Sequence, residues 1–134
     1  MSILKLEEIL AGSVDGSTKG FPGLQRSLRL DELGAQSWNV LNHDLPFPVA
    51  ILKESALRNN SSQMNAFLAA SGAQLCPHGK STMSPQLFER QLKDGAWGIT
   101  VATSAHFAVC RRVGVKRVFL ANQLVGQANI RMVM

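Results

Sequence analysis

The hydrophobic pattern changes its period repeatedly after Pro48. Residues 49–53 form a compact apolar run, which predicts a buried strand. Residues 55–71 then carry apolar side chains at helical spacing, and Gly72 closes this predicted helix. The alternation recurs with predicted strands at 74–76, 97–101 and 117–120, each followed by a helical pattern that starts near residues 84, 103 and 123.

The repeated strand–helix order predicts an α/β fold with a parallel sheet and helices outside it. Eight such units would close a (β/α)8 TIM barrel of about 250 residues. This chain has 134 residues and about four units, so it predicts either an open sheet or half of a barrel. The last helical pattern reaches Met134 without a stop signal, which favours the N-terminal half of a barrel.

The chain before Pro48 is less regular. Residues 2–11 predict a short amphipathic helix, residues 12–20 form a Gly/Ser-rich break, and Leu28 to Trp38 predict partial helix. We therefore expect an N-terminal helical or irregular segment over 1–47 and a partial barrel domain over 48–134.

Composition is typical of a globular protein, with 46% hydrophobic and 17% charged residues. No apolar run reaches about 18 residues, so no membrane span is expected. The first residues lack the basic-then-apolar layout of a secretory signal. Two cysteines, Cys76 and Cys110, do not make a disulfide framework, and a reducing cytoplasm is the simplest location.

The net charge is +5, and part of it lies in one basic run. This run falls at a predicted helix end and strand start, where cations favour the helix dipole and solvent, and no nucleic-acid motif accompanies it. We therefore expect no nucleic-acid partner. The run consists of Arg111, Arg112, Lys116 and Arg117.

Residues 71–82 are the informative stretch for function. They follow a predicted strand, and α/β folds place their chemistry at the carboxyl ends of strands. If the extended path persists to Lys80, one face carries a polar row of side chains. That row comprises Gln74, Cys76, His78 and Lys80.

Gly79-Lys80-Ser81 also ends like a phosphate-binding P-loop. The first glycine of that motif would fall at position 74, which is Gln74, and Pro77 has no N–H to offer a phosphate. Nucleotide hydrolysis is therefore disfavoured.

A lysine at such a position suits Schiff-base chemistry with an aldehyde. That chemistry needs an unprotonated amine, so we expect Lys80 to be partly buried or close to a positive charge. The alternative for a lone lysine is a solvated surface position.

Pro77-His78-Gly79-Lys80-Ser81 after a short strand resembles the cofactor-lysine motif of the alanine-racemase-like (fold type III) pyridoxal-phosphate enzymes. In particular it resembles the group of D-threonine aldolases, D-serine dehydratases and amino acid deaminases. The resemblance runs from about Phe47 to the end and includes the blocks 95–103 and 119–123. Aldolases tend to have an arginine where this chain has Cys76, and His-Lys where it has Thr82-Met83, so the pattern is nearer to the deaminases.

The resemblance implies a barrel of the alanine racemase type with pyridoxal 5'-phosphate as cofactor. Lys80 would be catalytic and hold the cofactor, with His78 and Asn122 as further cofactor contacts. His78 is equally suited to bracing the turn by bonding backbone, and Asn122 to capping or turning the chain.

The implied function is the N-terminal part of a D-serine dehydratase-like deaminase, which gives a keto acid and ammonia from an amino acid. The alternatives are a D-threonine aldolase-like lyase, a non-catalytic pyridoxal-phosphate-binding protein and a plain structural fragment. We expect no metal site in this chain, because His43 and His106 stand alone and the metal ligands of related dehydratases lie further along the chain. We also expect a homo-oligomer.

Overall fold

A computed structural model describes residues 2–134, which form two compact units. One unit combines residues 2–6 with Glu54–Met134, and the other is Glu7–Lys53. The division into 1–47 and 48–134 expected from the sequence stays a prediction.

The smaller unit has little regular structure. It contains helix α1 (Glu7–Leu10), strands β1 (Ser13–Val14) and β2 (Leu28–Arg29), and 3-10 turns at Leu30–Gln36 and Val40–Asn42. The two strands pair antiparallel. The buried apolar side chains of this unit are Val14 and Leu28. The predicted helix over 2–11 is therefore reduced to four residues, while the partly helical prediction after Leu28 is confirmed as 3-10 turn.

The larger unit contains the strand–helix order that the sequence predicts. Its elements are α2 (Glu54–Ser71), α3 (Pro85–Lys93), β3 (Ile99–Val101), α4 (Ser104–Val113), β4 (Val118–Leu120) and α5 (Gln127–Val133). The N-cap Thr103 accepts a hydrogen bond from the His106 N–H and starts α4. Among residues 2–134, no helix is long and apolar enough to cross a membrane.

The sheet of the larger unit is parallel and short. β3 pairs with β4 in the register Ile99↔Val118 to Val101↔Leu120. Residues 75–78 run beside the other edge of β3, where the Trp97 N–H donates to the Leu75 carbonyl at 2.7 Å. The predicted third and fourth strands are confirmed, the predicted strand at 74–76 is an extended segment with one bridge from His78 to Thr100, and no closed barrel forms among residues 2–134.

The core lies between this sheet and helices α3 and α4. Its largest fully buried side chains come from both helices and from β3. Because β3 is buried at all three positions, it is the central strand of the arrangement. These side chains are Phe88, Ile99, Val101, Cys110 and Val113.

The strand predicted at residues 49–53 is wrong for this structure. The segment has no strand pairing, and Ile51 and Leu52 are 58% and 61% exposed. A strand needs a neighbour for its backbone N–H and C=O groups, and no described residue pairs with this segment. The apolar run therefore lacks regular secondary structure and is largely exposed.

Residues 2–6, named here the N-terminal strap, pack on the larger unit at the amino edge of its sheet. Ser2 Oγ and the Ile3 N–H donate to the carboxylate of Glu89 at 2.9 and 3.2 Å. The Lys5 N–H donates to the carbonyl of Val113, the last residue of α4, at 2.9 Å, and Leu4 is 5% exposed. The strap is thus held by backbone, carboxylate and apolar contacts together.

Candidate functional site at the carboxyl edge of the sheet

Lys80 lies just beyond the segment that runs beside β3, at the carboxyl edge of the parallel sheet. The extended path ends at His78, and Gly79–Ser81 form a 3-10 turn. The predicted polar row is therefore wrong at Lys80, because side chains alternate only while the backbone stays extended. Lys80 belongs to a turn above the edge.

His78 caps that turn. Its backbone is extended (φ −79°, ψ 112°), and its Nδ1 accepts a hydrogen bond from the Lys80 N–H at 3.3 Å. Of the two roles left open for His78, bracing the turn is therefore the one for which the structure shows a hydrogen bond. Contact with a cofactor stays a prediction.

Gly79 is fixed by close packing beneath the turn. A Cβ at this position would lie 2.7 Å from Phe88 Cε1 and 2.9 Å from Ile99 Cγ2, closer than real Cβ contacts come. Gly79 is itself buried, and its carbonyl accepts from the Met83 N–H at 2.9 Å. Because position 79 has no side chain, the backbone can thus pack directly against the core just before the lysine.

Thr100 anchors the same segment and was not singled out from the sequence. Its buried hydroxyl donates to the Cys76 carbonyl at 2.6 Å, and its N–H donates to the Pro77 carbonyl at 2.8 Å. The available signal was a threonine between two apolar strand residues, Ile99 and Val101. A polar side chain in a buried strand needs a partner, and here the partner is the segment that leads to Lys80.

Lys80 itself is exposed. Within residues 2–134, no carboxylate forms an ion pair with it. The partial burial that the sequence argument expects is therefore wrong for this chain, whose described residues place no wall over the edge. The exposure of Lys80 agrees with the alternative given for a lone lysine, a solvated surface position.

A cleft of about 440 Å³ lies at the same edge, between the chain segments that follow β3 and β4. Asn122 lines it, donates to the Ala102 carbonyl at 3.5 Å and accepts from the Gln123 N–H at 3.1 Å. Ser104 Oγ donates to Asn129 Oδ1 at 2.8 Å in the wall of the cleft. Asn122 thus joins two loops, and its predicted contact with a cofactor stays a prediction.

Other candidate nucleophiles and ligands lie apart. Burial raises the pKa of the Cys110 thiol to about 11, which makes it an inert core residue. Cys76 is half-buried and contributes its backbone carbonyl to Thr100. In the part of the chain that the structure describes, no group of three His, Cys, Asp or Glu side chains is arranged to hold a metal ion.

The chain is similar to a known protein in structure. No family model matches the sequence, and no curated protein matches it. Among solved structures, the crystal structure of D-threonine aldolase from Filomicrobium marinum is similar, with 27% identity and a TM-score of 0.64 over 67% of this chain. Over those two thirds, this chain shares the fold of part of a D-threonine aldolase.

The shared part is 24% of the aldolase chain, so this protein spans about a quarter of that neighbour's length. D-threonine aldolases belong to the group that the motif around Lys80 resembles. The coarse resemblance to fold type III pyridoxal-phosphate enzymes is therefore supported by structure as well as by sequence.

Proposed function

We propose that Lys80 covalently holds pyridoxal phosphate in an enzyme that acts on amino acids with a β-hydroxyl group. The observation that carries the proposal is the position of Lys80 on a capped turn at the carboxyl edge of a parallel sheet. The similarity to a D-threonine aldolase over two thirds of the chain supports it.

The residues of this chain have limited, definable tasks in that function. The Lys80 amine would hold the cofactor through its aldehyde at the sheet edge, on the turn that His78 caps. The cleft beside Asn122 supplies space at the same edge. When bound, pyridoxal phosphate acts as an electron sink for charge that develops at the substrate α-carbon.

We propose deamination as the reaction. Loss of the α-proton and the β-hydroxyl from a substrate such as D-serine, followed by hydrolysis, gives a keto acid and ammonia. The support is in the sequence, since Cys76 and Thr82-Met83 stand where the aldolase pattern has arginine and His-Lys.

An aldolase is the second candidate, and the structural neighbour favours it. An aldolase would break the bond between the α- and β-carbons of a β-hydroxy amino acid and release glycine and an aldehyde. A pyridoxal-phosphate carrier without turnover would use the same Lys80 attachment and release neither product.

Attachment tests the proposal directly. The chain is incubated with pyridoxal phosphate, reduced with borohydride and digested, and the modified peptide is located by mass spectrometry. We expect the label on Lys80. The absorbance band of the Schiff base, measured before reduction, should be lost in Lys80→Ala and retained in Lys116→Ala, which changes an exposed lysine of the same unit. Label spread evenly over the lysines would overturn the proposal.

Activity separates the reactions. Because these 134 residues span about a quarter of the aldolase, we expect no turnover from them alone, and clear pyruvate formation from D-serine would contradict this. The two reactions are separated in a longer protein that contains these 134 residues and matches the aldolase in length. There, pyruvate formed from D-serine would support the deaminase, and glycine formed from D-threonine would support the aldolase. Cofactor attachment without either product would support the carrier.

A further inference from the structure

We propose that His78 is a positioning residue, which holds Lys80 at the sheet edge by accepting the Lys80 backbone N–H on its ring Nδ1. The role goes beyond the proposed function because it concerns the conformation of the turn with or without cofactor. Only the cofactor part of the test below rests on the proposed function.

The chain before the turn is tied to the sheet at consecutive residues. The carbonyls of Leu75, Cys76 and Pro77 accept from Trp97 N–H, Thr100 Oγ1 and Thr100 N–H at 2.7, 2.6 and 2.8 Å. His78 then forms a parallel bridge with Thr100. The imidazole therefore starts from a backbone position that the sheet already fixes.

The chain after the lysine is tied to the same point. The Gly79 carbonyl accepts from the Thr82 N–H at 3.3 Å and from the Met83 N–H at 2.9 Å, and Gly79 itself is packed against Phe88 and Ile99. The hydrogen bond from the Lys80 N–H to His78 is the contact that fixes the lysine's own backbone within this frame. Its loss would free Lys80 without detaching the ends of the turn.

The hydrogen bond also assigns the two ring nitrogens. Nδ1 accepts, so it carries no hydrogen, and a neutral ring then carries its hydrogen on Nε2. Within residues 2–134 the structure gives Nε2 no partner. Bracing the turn and touching a ligand would thus use different nitrogens, and a substitution can separate them.

Asparagine provides that separation. Its short side chain is a good helix N-cap and can accept the Lys80 N–H, but it does not extend as far as Nε2. His78→Asn therefore keeps the proposed positioning contact, whereas His78→Ala removes it. His43→Ala, at an exposed histidine of the smaller unit, is the matched control.

Amide hydrogen exchange measures the turn without any cofactor. We expect the amide of Lys80 to exchange about fivefold faster in His78→Ala, the size of a typical lost cap, and near the wild-type rate in His78→Asn and His43→Ala. Unchanged exchange around 99–101 shows that the sheet remains folded. An unchanged Lys80 amide in His78→Ala would overturn the proposal.

Cofactor attachment gives the second arm. We expect the rate of borohydride-trapped labelling at Lys80 to fall severalfold in His78→Ala and to recover in His78→Asn. If His78→Asn labels as poorly as His78→Ala while its exchange is normal, the ring contacts the cofactor, and positioning is overturned as the reason for the loss. If the wild type does not label at all, the proposed function fails, and the exchange result alone decides the role of His78.

Discussion

The backbone at Gly79 has no room for a side-chain carbon. A methyl group there would meet the Phe88 ring and the Ile99 side chain at less than 3 Å. We predict that Gly79→Ala lowers the free energy of unfolding by about 1–3 kcal/mol, the usual cost of forcing an extra carbon into a packed core. Urea unfolding measures this directly.

Gly23→Ala is the control for that substitution. A Cβ at Gly23 has no heavy atom within 4 Å, and its φ is not in the left-handed region. We expect no loss of stability there. An equal loss in both variants would show that the packing beneath Lys80 is not the cause.

Glu89 links the strap to α3 and predicts a pH effect. The hydrogen bond from Lys93 Nζ, at 2.6 Å, is the main cause that holds the pKa of this buried carboxyl below its usual 4.5, with Ser2 and Ile3 adding to it. A carboxyl whose pKa is lowered by folding stabilises the protein above its ordinary pKa and loses that contribution as the pH falls through the lowered value. Stability should therefore decline on acidification below about pH 5.

Glu89→Gln tests this assignment. Thermal unfolding from pH 7 to pH 3 should show a lower Tm than wild type at neutral pH and a shallower loss toward acid. Other carboxyls, such as those of Glu54 and Asp31, also have lowered pKa values and keep part of the acid dependence. Identical slopes in the two proteins would contradict the role of Glu89.

At the scale of elements, α3 and α2 differ in what they bury. Phe88 on α3 is 0% exposed, whereas Phe67 on α2 is 63% exposed, and α2 has no buried residue. We predict that Phe88→Ala lowers the free energy of unfolding by about 3–5 kcal/mol, since it leaves a cavity in the core. Phe67→Ala should change it by less than about 0.5 kcal/mol.

Chemical denaturation of both variants checks the difference. The pair is matched in residue type and differs in burial. Comparable losses would mean that α2 is packed in solution against something that covers Phe67.

The helices could be predicted from the sequence because their signals are local. Thr103 as N-cap, Pro85 in the first turn and Gly114 in the left-handed conformation at the end of α4 act through neighbouring backbone. The strands after Gly95 were also predictable, although they are shorter in the structure than their apolar runs.

Features that depend on distant partners could not be predicted. Residues 49–53 have the composition of a strand, but pairing requires a neighbour that the local pattern cannot specify. Lys80 lies in a 3-10 turn after the extended segment, where its N–H donates to His78 Nδ1, and the alternation of polar and apolar residues does not indicate that turn. The motif thus drew attention to Lys80, and only the structure shows the turn in which it lies.

At the scale of the whole molecule, the sheet of the larger unit has an open edge. The Arg117 carbonyl accepts from the Ile99 N–H, and the Ala121 N–H donates to the Val101 carbonyl on β3. In a parallel strand the backbone N–H and C=O groups of successive residues point to opposite sides, so those of Val118 and Leu120 point away from β3. No described strand covers that side of β4, and Phe119 is 56% exposed. Unpaired strand edges invite pairing between chains.

We therefore predict self-association of the 134-residue chain at micromolar concentration. Sedimentation velocity should show dimers or larger species in the wild type and a shift toward monomer in Phe119→Lys. Leu41→Lys, at an 83% exposed position of the smaller unit, should behave as wild type. A stable wild-type monomer, or equal effects of the two substitutions, would contradict the prediction.

The N-terminal strap has a consequence for how this fold could change over evolution. It secures the amino edge of the sheet, while Lys80, Thr103 and Asn122 stand exposed at the opposite edge. Substitutions at exposed side chains of the loops on that opposite edge can alter recognition without touching the contacts that keep the protein folded. A library randomised at Gln123 and Val125, which line the cleft there, should accordingly yield many soluble members, from which new binding preferences can be selected.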